Sequence, residues 1–136
     1  MRKFRWTFEA SDKNSNIVFR ESFVRLDERP VAEENNGELK FLDGKIKIIQ
    51  YFTMYEEKDK AKEEFDKFSN ASQAITATLR LYDGIGDLLE EWKFEDVEME
   101  LDRENSIFEE GNIIPTWIVS YKKASYSSFS YCVKKS

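Results

Sequence analysis

Apolar and polar residues alternate with a period of two along most of the chain. Phe4, Trp6 and Phe8 alternate with Arg5, Thr7 and Glu9, and Ile75, Ala77, Leu79 and Leu81 alternate with Thr76, Thr78, Arg80 and Tyr82. Val97, Met99 and Leu101 alternate with Glu98, Glu100 and Asp102. That period predicts strands that lay one face on a core. Residues 17–27 (IVFRESFVRLD) and 45–55 (KIKIIQYFTMY) are equally rich in β-formers but carry apolar residues on both faces. In them one face is expected to meet the core and the other a neighbouring subunit. Residues 113–121 (IIPTWIVSY) predict a late strand, with Pro115 at an edge or at a strand start.

One segment, 56–68 (EEKDKAKEEFDKF), changes period. Ala61, Phe65 and Phe68 stand at helical spacing, and Glu56 with Lys60 and Glu63 with Lys67 form supportive i,i+4 pairs. A solvated helix laid over one end of a β core is expected there, ended by residues 69–73. Residues 27–44 predict a long polar loop holding Pro30 and Asn36-Gly37, and loops of that size are usually functional or disordered. Many strands, one helix and no βαβ alternation predict a mainly β fold. The expected form is an antiparallel barrel or sandwich with one α-helix packed at the side, in a single domain over 1–136.

The stretch LYDGIGDLLEEW, 81–92, raises the question of a ligand loop. A phosphate cradle needs N–H groups at a helix start; here β-type runs flank the glycines, and Asp83 and Asp87 repel phosphate. A calcium loop needs oxygen ligands at alternating positions, and those between Asp83 and Asp87 are missing. The reading that remains is a hairpin turn of Asp83, Gly84, Gly86 and Asp87, with Leu81, Leu88 and Trp92 packing behind it.

Composition narrows the chemistry. The 136 residues include no histidine and one cysteine, Cys132. The commonest general base and metal ligand is therefore missing, histidine-based nucleophile systems are excluded, and no intrachain disulfide can form. A reducing compartment is expected. No apolar run is long enough to cross a bilayer, and no hydrophobic signal segment follows the basic start of the chain. No pair among the 27 acids is selected as a catalytic dyad. No catalytic, cofactor-binding or metal-binding residue is therefore nominated.

The net charge of −6 disfavours nonspecific attraction to nucleic acid, and the charge is unevenly placed. Residues 87–110 hold eleven acids against Lys93 and Arg103, a net of −9, while 120–136 hold four lysines and no acid. A molecule with one acidic and one basic surface can pair with copies of itself. On the strand 97–102 the acids share one face, which is either a solvated exterior or the lining of a channel.

Three places together resemble the tail tube proteins of contractile-tailed bacteriophages. They are RKFRWTFEA at 2–10, LYDGIGDLLEEWKFEDV at 81–97, and TWIVSYKKASY at 116–126. Ile85 stands between the glycines where the family often has a cysteine, and the acidic 95–110 stretch departs from the family's pattern. A weaker resemblance extends to the ring-forming tube protein of type VI secretion. The resemblance implies a small β-barrel or sandwich with one helix, a structural protein and not an enzyme. Its copies would form hexameric rings, their strands joined between subunits, that stack into a hollow tube carrying DNA to the host cell. Sheath and baseplate proteins are the further partners implied, with no membrane insertion. The location implied is the virion tail, assembled in the host cytoplasm.

On that reading Glu98, Glu100 and Asp102 are expected to face the lumen, where acids let DNA slide instead of binding its phosphates. The loop residues Glu33, Glu34, Asn35, Asn36 and Gly37 are expected to touch the next ring. Two alternatives stand beside it. One is a tube initiator or terminator ring of the same tail; the other is a monomeric β-barrel holding a small apolar ligand.

Overall fold

A computed structural model describes residues 4–28, 32–35, 38–41, 44–50, 66, 68, 70–109 and 112–129. Twelve strands follow one another among them: β1 Arg5–Ser11, β2 Ile17–Glu28, β3 Ala32–Asn35, β4 Glu38–Phe41, β5 Lys45–Gln50, β6 Thr76–Tyr82, β7 Leu88–Glu95, β8 Glu98–Leu101, β9 Ile107–Glu109, β10 Asn112–Ile114, β11 Thr116–Ser120 and β12 Lys123–Ser128. Eight form one sheet in the order β12-β7-β6-β1-β2-β5-β11-β8, every neighbouring pair antiparallel. The mainly β, antiparallel architecture is the one the period-two pattern predicts.

The sheet is curled. Two residues, Asp96 and Val97, lead from β7 near one edge to β8 at the other, and Tyr121 and Lys122 lead from β11 to β12. Connections this short bring the two edge regions together. Backbone bonds hold the corner: Val97 N donates to Ile75 O at 3.0 Å, Lys122 N to Glu95 O at 3.2 Å, and Tyr121 N to Gly44 O at 2.7 Å. Asp96 turns the corner with φ +54. Gly44 is required where it stands, because an added Cβ would lie 2.8 Å from the Tyr121 carbonyl oxygen.

The long strand β2 explains part of its own two-faced sequence. Phe19 pairs with Ala10 and Glu21 with Phe8, so odd positions face inward; past a register shift, Val24 pairs with Trp6 and Leu26 with Ile48, so even positions do. A bulge has flipped the parity. The bulge accounts for part of the two-faced pattern of β2, whose inward positions change from odd to even.

The core takes Phe8, Phe19, Ile46, Ile48, Leu79, Trp92, Phe94, Val97, Met99, Trp117 and Val119 from the inner face. Trp92 rests on Tyr126 with ring centroids 4.4 Å apart, and Phe94 on Tyr121 at 4.5 Å. One polar chain lies among these groups. Trp117 Nε1 donates to Gln50 Oε1 at 3.0 Å, and Gln50 Nε2 donates to Glu21 Oε2 at 3.2 Å. Gln50 is fully buried, so these bonds offset the cost of taking its amide out of water.

Two expectations fare differently. The helix over 56–68 lies outside the described residues except for Asp66 and Phe68. The helical element described is a short 3-10 turn, Ala71–Gln73, with Ala71 and Ala74 buried. Phe68 does pack on the core, 4.5 Å from Phe19. The polar loop expected over 27–44 is corrected. β2 continues to Glu28, and β3 pairs with β4 in a hairpin, Ala32 with Phe41 and Asn35 with Glu38. Acids at 33 and 34 lack the apolar alternation that marks a half-buried strand, and so hid the strand signal.

Candidate functional site

The surface features with chemistry are the two edges of the main sheet, the acidic strand β8, and the turns at the strand ends. Among the described residues no strand pairs with the outer side of β8 or of β12. On β8, Asp102 N donates to Thr116 O at 2.8 Å, toward β11, while Val97 N turns the other way to Ile75. By the alternation of an antiparallel ladder, Met99 and Leu101 direct their backbone N–H and C=O groups away from β11, to the side where no described strand pairs and the 3-10 turn Ala71–Gln73 lies nearby. Such a row is a template for another strand.

The side chains of the two edges differ in charge. Met99 is buried, Leu101 half-buried, and Glu98 and Glu100 are exposed on the opposite face, as their alternation predicts. On β12, Ala124 and Tyr126 pack inward, leaving Lys123, Ser125 and Ser127 exposed on the outer face, with Lys122 exposed just before them. The β8 acids are not alone on their face. The register aligns Glu100 with Ile118 and Lys47, and Glu98 with Ser120 and Lys45. Two lysines therefore stand two strands away, a neighbourhood that alternation along one strand does not reveal.

Asp102 differs from its two companions. Its carboxylate accepts from Asn105 Nδ2 at 2.7 Å and lies 3.5 Å from Lys47 Nζ, with its side chain 11% exposed. Ser106 Oγ donates to Asp102 O at 2.6 Å and accepts from Thr116 N at 2.8 Å, so the turn 102–106 is tied down over the buried Thr116. The Asn105 side chain, then its backbone N–H and the Lys47 charge, hold the Asp102 carboxyl below the usual carboxylate range. Asp102 thus supports a turn, whereas Glu98 and Glu100 are open carboxylates.

A pH effect follows. A carboxyl lowered in the folded state adds stability above its unfolded value of about 3.9, and that stability is lost as pH falls through the folded value. Wild-type protein is therefore expected to lose more unfolding free energy than Asp102→Asn between pH 5 and pH 2, a range taken to bracket that value of about 3.9. Urea unfolding at each pH checks this; parallel losses in both proteins would show that Asp102 gains nothing from Asn105 and Lys47.

The stretch Asp83–Asp87 is a turn with a mechanism. Asp83 N donates to Asp87 O at 3.0 Å, and Asp83 Oδ1 accepts from Ile85 N at 2.9 Å and Asp87 N at 3.0 Å. Gly86 adopts φ +96 and Ile85 is 74% exposed at the tip. Asp12 does the same for 12–16, accepting from Asn14 N and Asn16 N, with Ser15 at φ +64 in the place of the glycine. In both turns the leading aspartate is occupied by backbone N–H groups. Among the described residues no group of three His, Cys, Asp or Glu is placed to hold a metal, and no helix is long and apolar enough to cross a membrane.

Of the residues expected to contact another ring, Glu33, Glu34 and Asn35 lie in β3, and Asn36 and Gly37 fall outside the described residues. Elsewhere on the outer face two arginines are paired with acids. Arg20 Nε lies 2.9 Å from Glu9 and Arg80 Nε 2.7 Å from Glu91, the latter raising the Arg80 pKa. Sequence reasoning missed Lys45 and Lys47, which border Glu98 and Glu100 only through strand register.

No protein-family model matches the chain, and no curated protein matches it. Solved structures do. A mutant Hcp1 protein from E. coli EAEC 042 aligns over 91% of this chain and 89% of its own, with 12% identity and a TM-score of 0.57. A crystal structure of an Hcp protein aligns over 94% of this chain and 93% of its own, with 10% identity and a TM-score of 0.53. The sheath–tube complex of an extracellular contractile injection system aligns over 92% of this chain and 89% of its partner, with 9% identity and a TM-score of 0.46, too low to add to the fold assignment. The chain has the fold of the Hcp proteins.

Proposed function

We propose that this chain is a structural tube protein of a contractile tail-like machine. Copies join edge to edge, β8 of one beside β12 of the next, into rings that stack into a hollow tube. One observation carries the reading: a sheet with the fold of the Hcp proteins ends in two strands with no described partner on their outer sides, one bearing the exposed Glu98 and Glu100 and the other opening on the exposed Lys123, with Lys122 just before it. Hydrogen bonds across the joined edges hold the ring, and the opposite charges set its direction and exclude like edges. A contact between two different edges repeats, and it closes if the rotation per subunit divides a full turn. The resemblance in the sequence implies six copies, a bacteriophage tail, and sheath and baseplate as outer partners.

In this tube Glu98 and Glu100 face the channel, and DNA passes without being held. Asp102, engaged with Asn105 and Lys47, adds little to that surface. No catalytic role is proposed. A ligand barrel is the weaker reading, because Phe8, Phe19, Phe94, Leu79 and Val119 fill the described interior. An initiator or terminator ring would share the same edges and differ in how far stacking continues.

Light scattering and negative-stain microscopy test the proposal. Rings or short tubes are expected at high protein concentration. Monomer alone at every concentration and salt, even with a preformed ring supplied as template, would overturn it.

A further inference from the structure

The two ends of the central strands each carry an exposed apolar pair. β1 and β6 run antiparallel, with Ser11 opposite Thr76 at one end and Arg5 opposite Tyr82 at the other. The turn 12–16 therefore lies at the first end and the turn Asp83–Asp87 at the second. The seven residues of β1 separate them by on the order of 20 Å. At the first end Ile17 and Ile75 flank Ser11, which pairs with Ile17 and accepts from Ile75 N at 2.8 Å. These two are 46% and 42% exposed. At the second end Phe4 and Ile85 are 63% and 74% exposed, and they border a cleft of about 530 Å³ with Val24 in its wall. None of the four belongs to the core cluster.

Both ends are held in shape. Asp12 accepts from Asn14 N and Asn16 N just before Ile17, and Asp83 accepts from Ile85 N and Asp87 N. Little conformational freedom is therefore lost when either end is covered. The ends also differ in charge. Lys13 stands exposed on the first turn and Asp87 on the second, and neither is in an ion pair among the described residues. We infer that the two ends meet between rings: Ile17 and Ile75 of one copy cover Phe4 and Ile85 of a second, with Lys13 of the first beside Asp87 of the second. This contact stacks the rings. It rests on the tube proposed above and is separate from the pairing of β8 with β12. Because its two surfaces lie at opposite ends of the same strands, it is heterologous and repeats from copy to copy in one direction. One such contact is small, but in a stacked ring every copy makes it at once, so it is weak between monomers and strong between rings.

Cross-linking tests it. In a Cys132→Ser background, Ile85→Cys is mixed with a mass-tagged Ile17→Cys under conditions where the protein assembles, and the mixture is oxidised. Ile85→Cys with Lys93→Cys, exposed midway along β7 opposite Thr78, is the control. Heterodimer is expected at about tenfold or more over the control, because the contact raises the local thiol concentration. Lys13→Glu on the Ile17→Cys copy should lower the yield about two- to fivefold, and Asp87→Lys on the other copy should restore it. A yield that neither change moves would overturn the charge pairing. Control-level cross-linking in a sample that negative stain shows as rings or tubes would overturn the contact and leave ring formation standing. Control-level cross-linking with monomer alone at every concentration would overturn both.

Discussion

Replacing Phe19 by alanine is expected to lower the unfolding free energy by about 3–5 kcal/mol, the largest effect of any single substitution considered. Phe19 is 1% exposed and touches three rings from three parts of the chain. Its centroid lies 5.7 Å from Phe8, 5.5 Å from Trp117 and 4.5 Å from Phe68. It therefore joins β1, β11 and the segment before the 3-10 turn. The cavity left by its ring is bounded by strands whose ladders resist collapse, so the cost includes lost contacts as well as lost burial. A melting temperature lower by on the order of 10–20 °C should accompany it. Ile17, past a second register shift, pairs with the outward Ser11 and is 46% exposed near the strand end. Ile17→Ala is expected to cost less than about 1 kcal/mol. Similar losses for the two variants in urea unfolding would mean that Phe19 is not a centre of the core.

Replacing Glu98 and Glu100 together by lysine is expected to leave the subunit folded and to make assembled tubes hold DNA. Both side chains are exposed and form no ion pair among the described residues, so little native packing is lost. In a ring the change repeats at every subunit, turning an acidic stripe into a basic one flanked by Lys45 and Lys47. Engaging on the order of 6–10 phosphates makes affinity fall about 10³–10⁵-fold between 50 and 200 mM salt. The variant tubes should therefore retain DNA at low salt and release it at high salt, as read by co-sedimentation. Sedimentation without DNA shows whether the tubes still form, since the change also removes carboxylates facing Lys123 across the proposed joint. Tubes that form yet bind no more DNA than wild type would place these residues away from the channel.

The parts of this fold legible in the sequence were those with unbroken alternation. β6 and β8 obey a strict period of two, and their inner residues Ala77, Leu79, Leu81 and Met99 are the buried ones. The Asp83–Asp87 turn was legible because aspartate and glycine have local reasons to be there: a carboxylate that caps its own backbone, and a residue at φ +96. The hairpin β3–β4 was not, since its acids lack the apolar alternation that marks a half-buried strand. Of the candidate lumen residues, Glu98 and Glu100 lie where alternation puts them. Asp102 does not share their freedom, because Asn105 and Lys47 reach it through a turn and across two strands.

The sequence by itself determined the class of fold, the strands with regular alternation, the turn at 83–87, the absence of histidine chemistry, and the opposite charges of 87–110 and 120–136. Those depend on residue identity and near neighbours, which the chain order contains. Only the tertiary structure decided that β8 and β12 are the two edges, and so that the acidic and basic segments end the same sheet. It also decided that the inward positions of β2 change from odd to even at a bulge, that Gln50 and Glu21 belong to a polar chain beside Trp117, and that Asp102 is engaged while Glu100 is open. These outcomes depend on which strands pair and in what register. Pairing is chosen by the sum of core contacts between segments far apart in the chain, and a shift of one residue exchanges every inward side chain for an outward one.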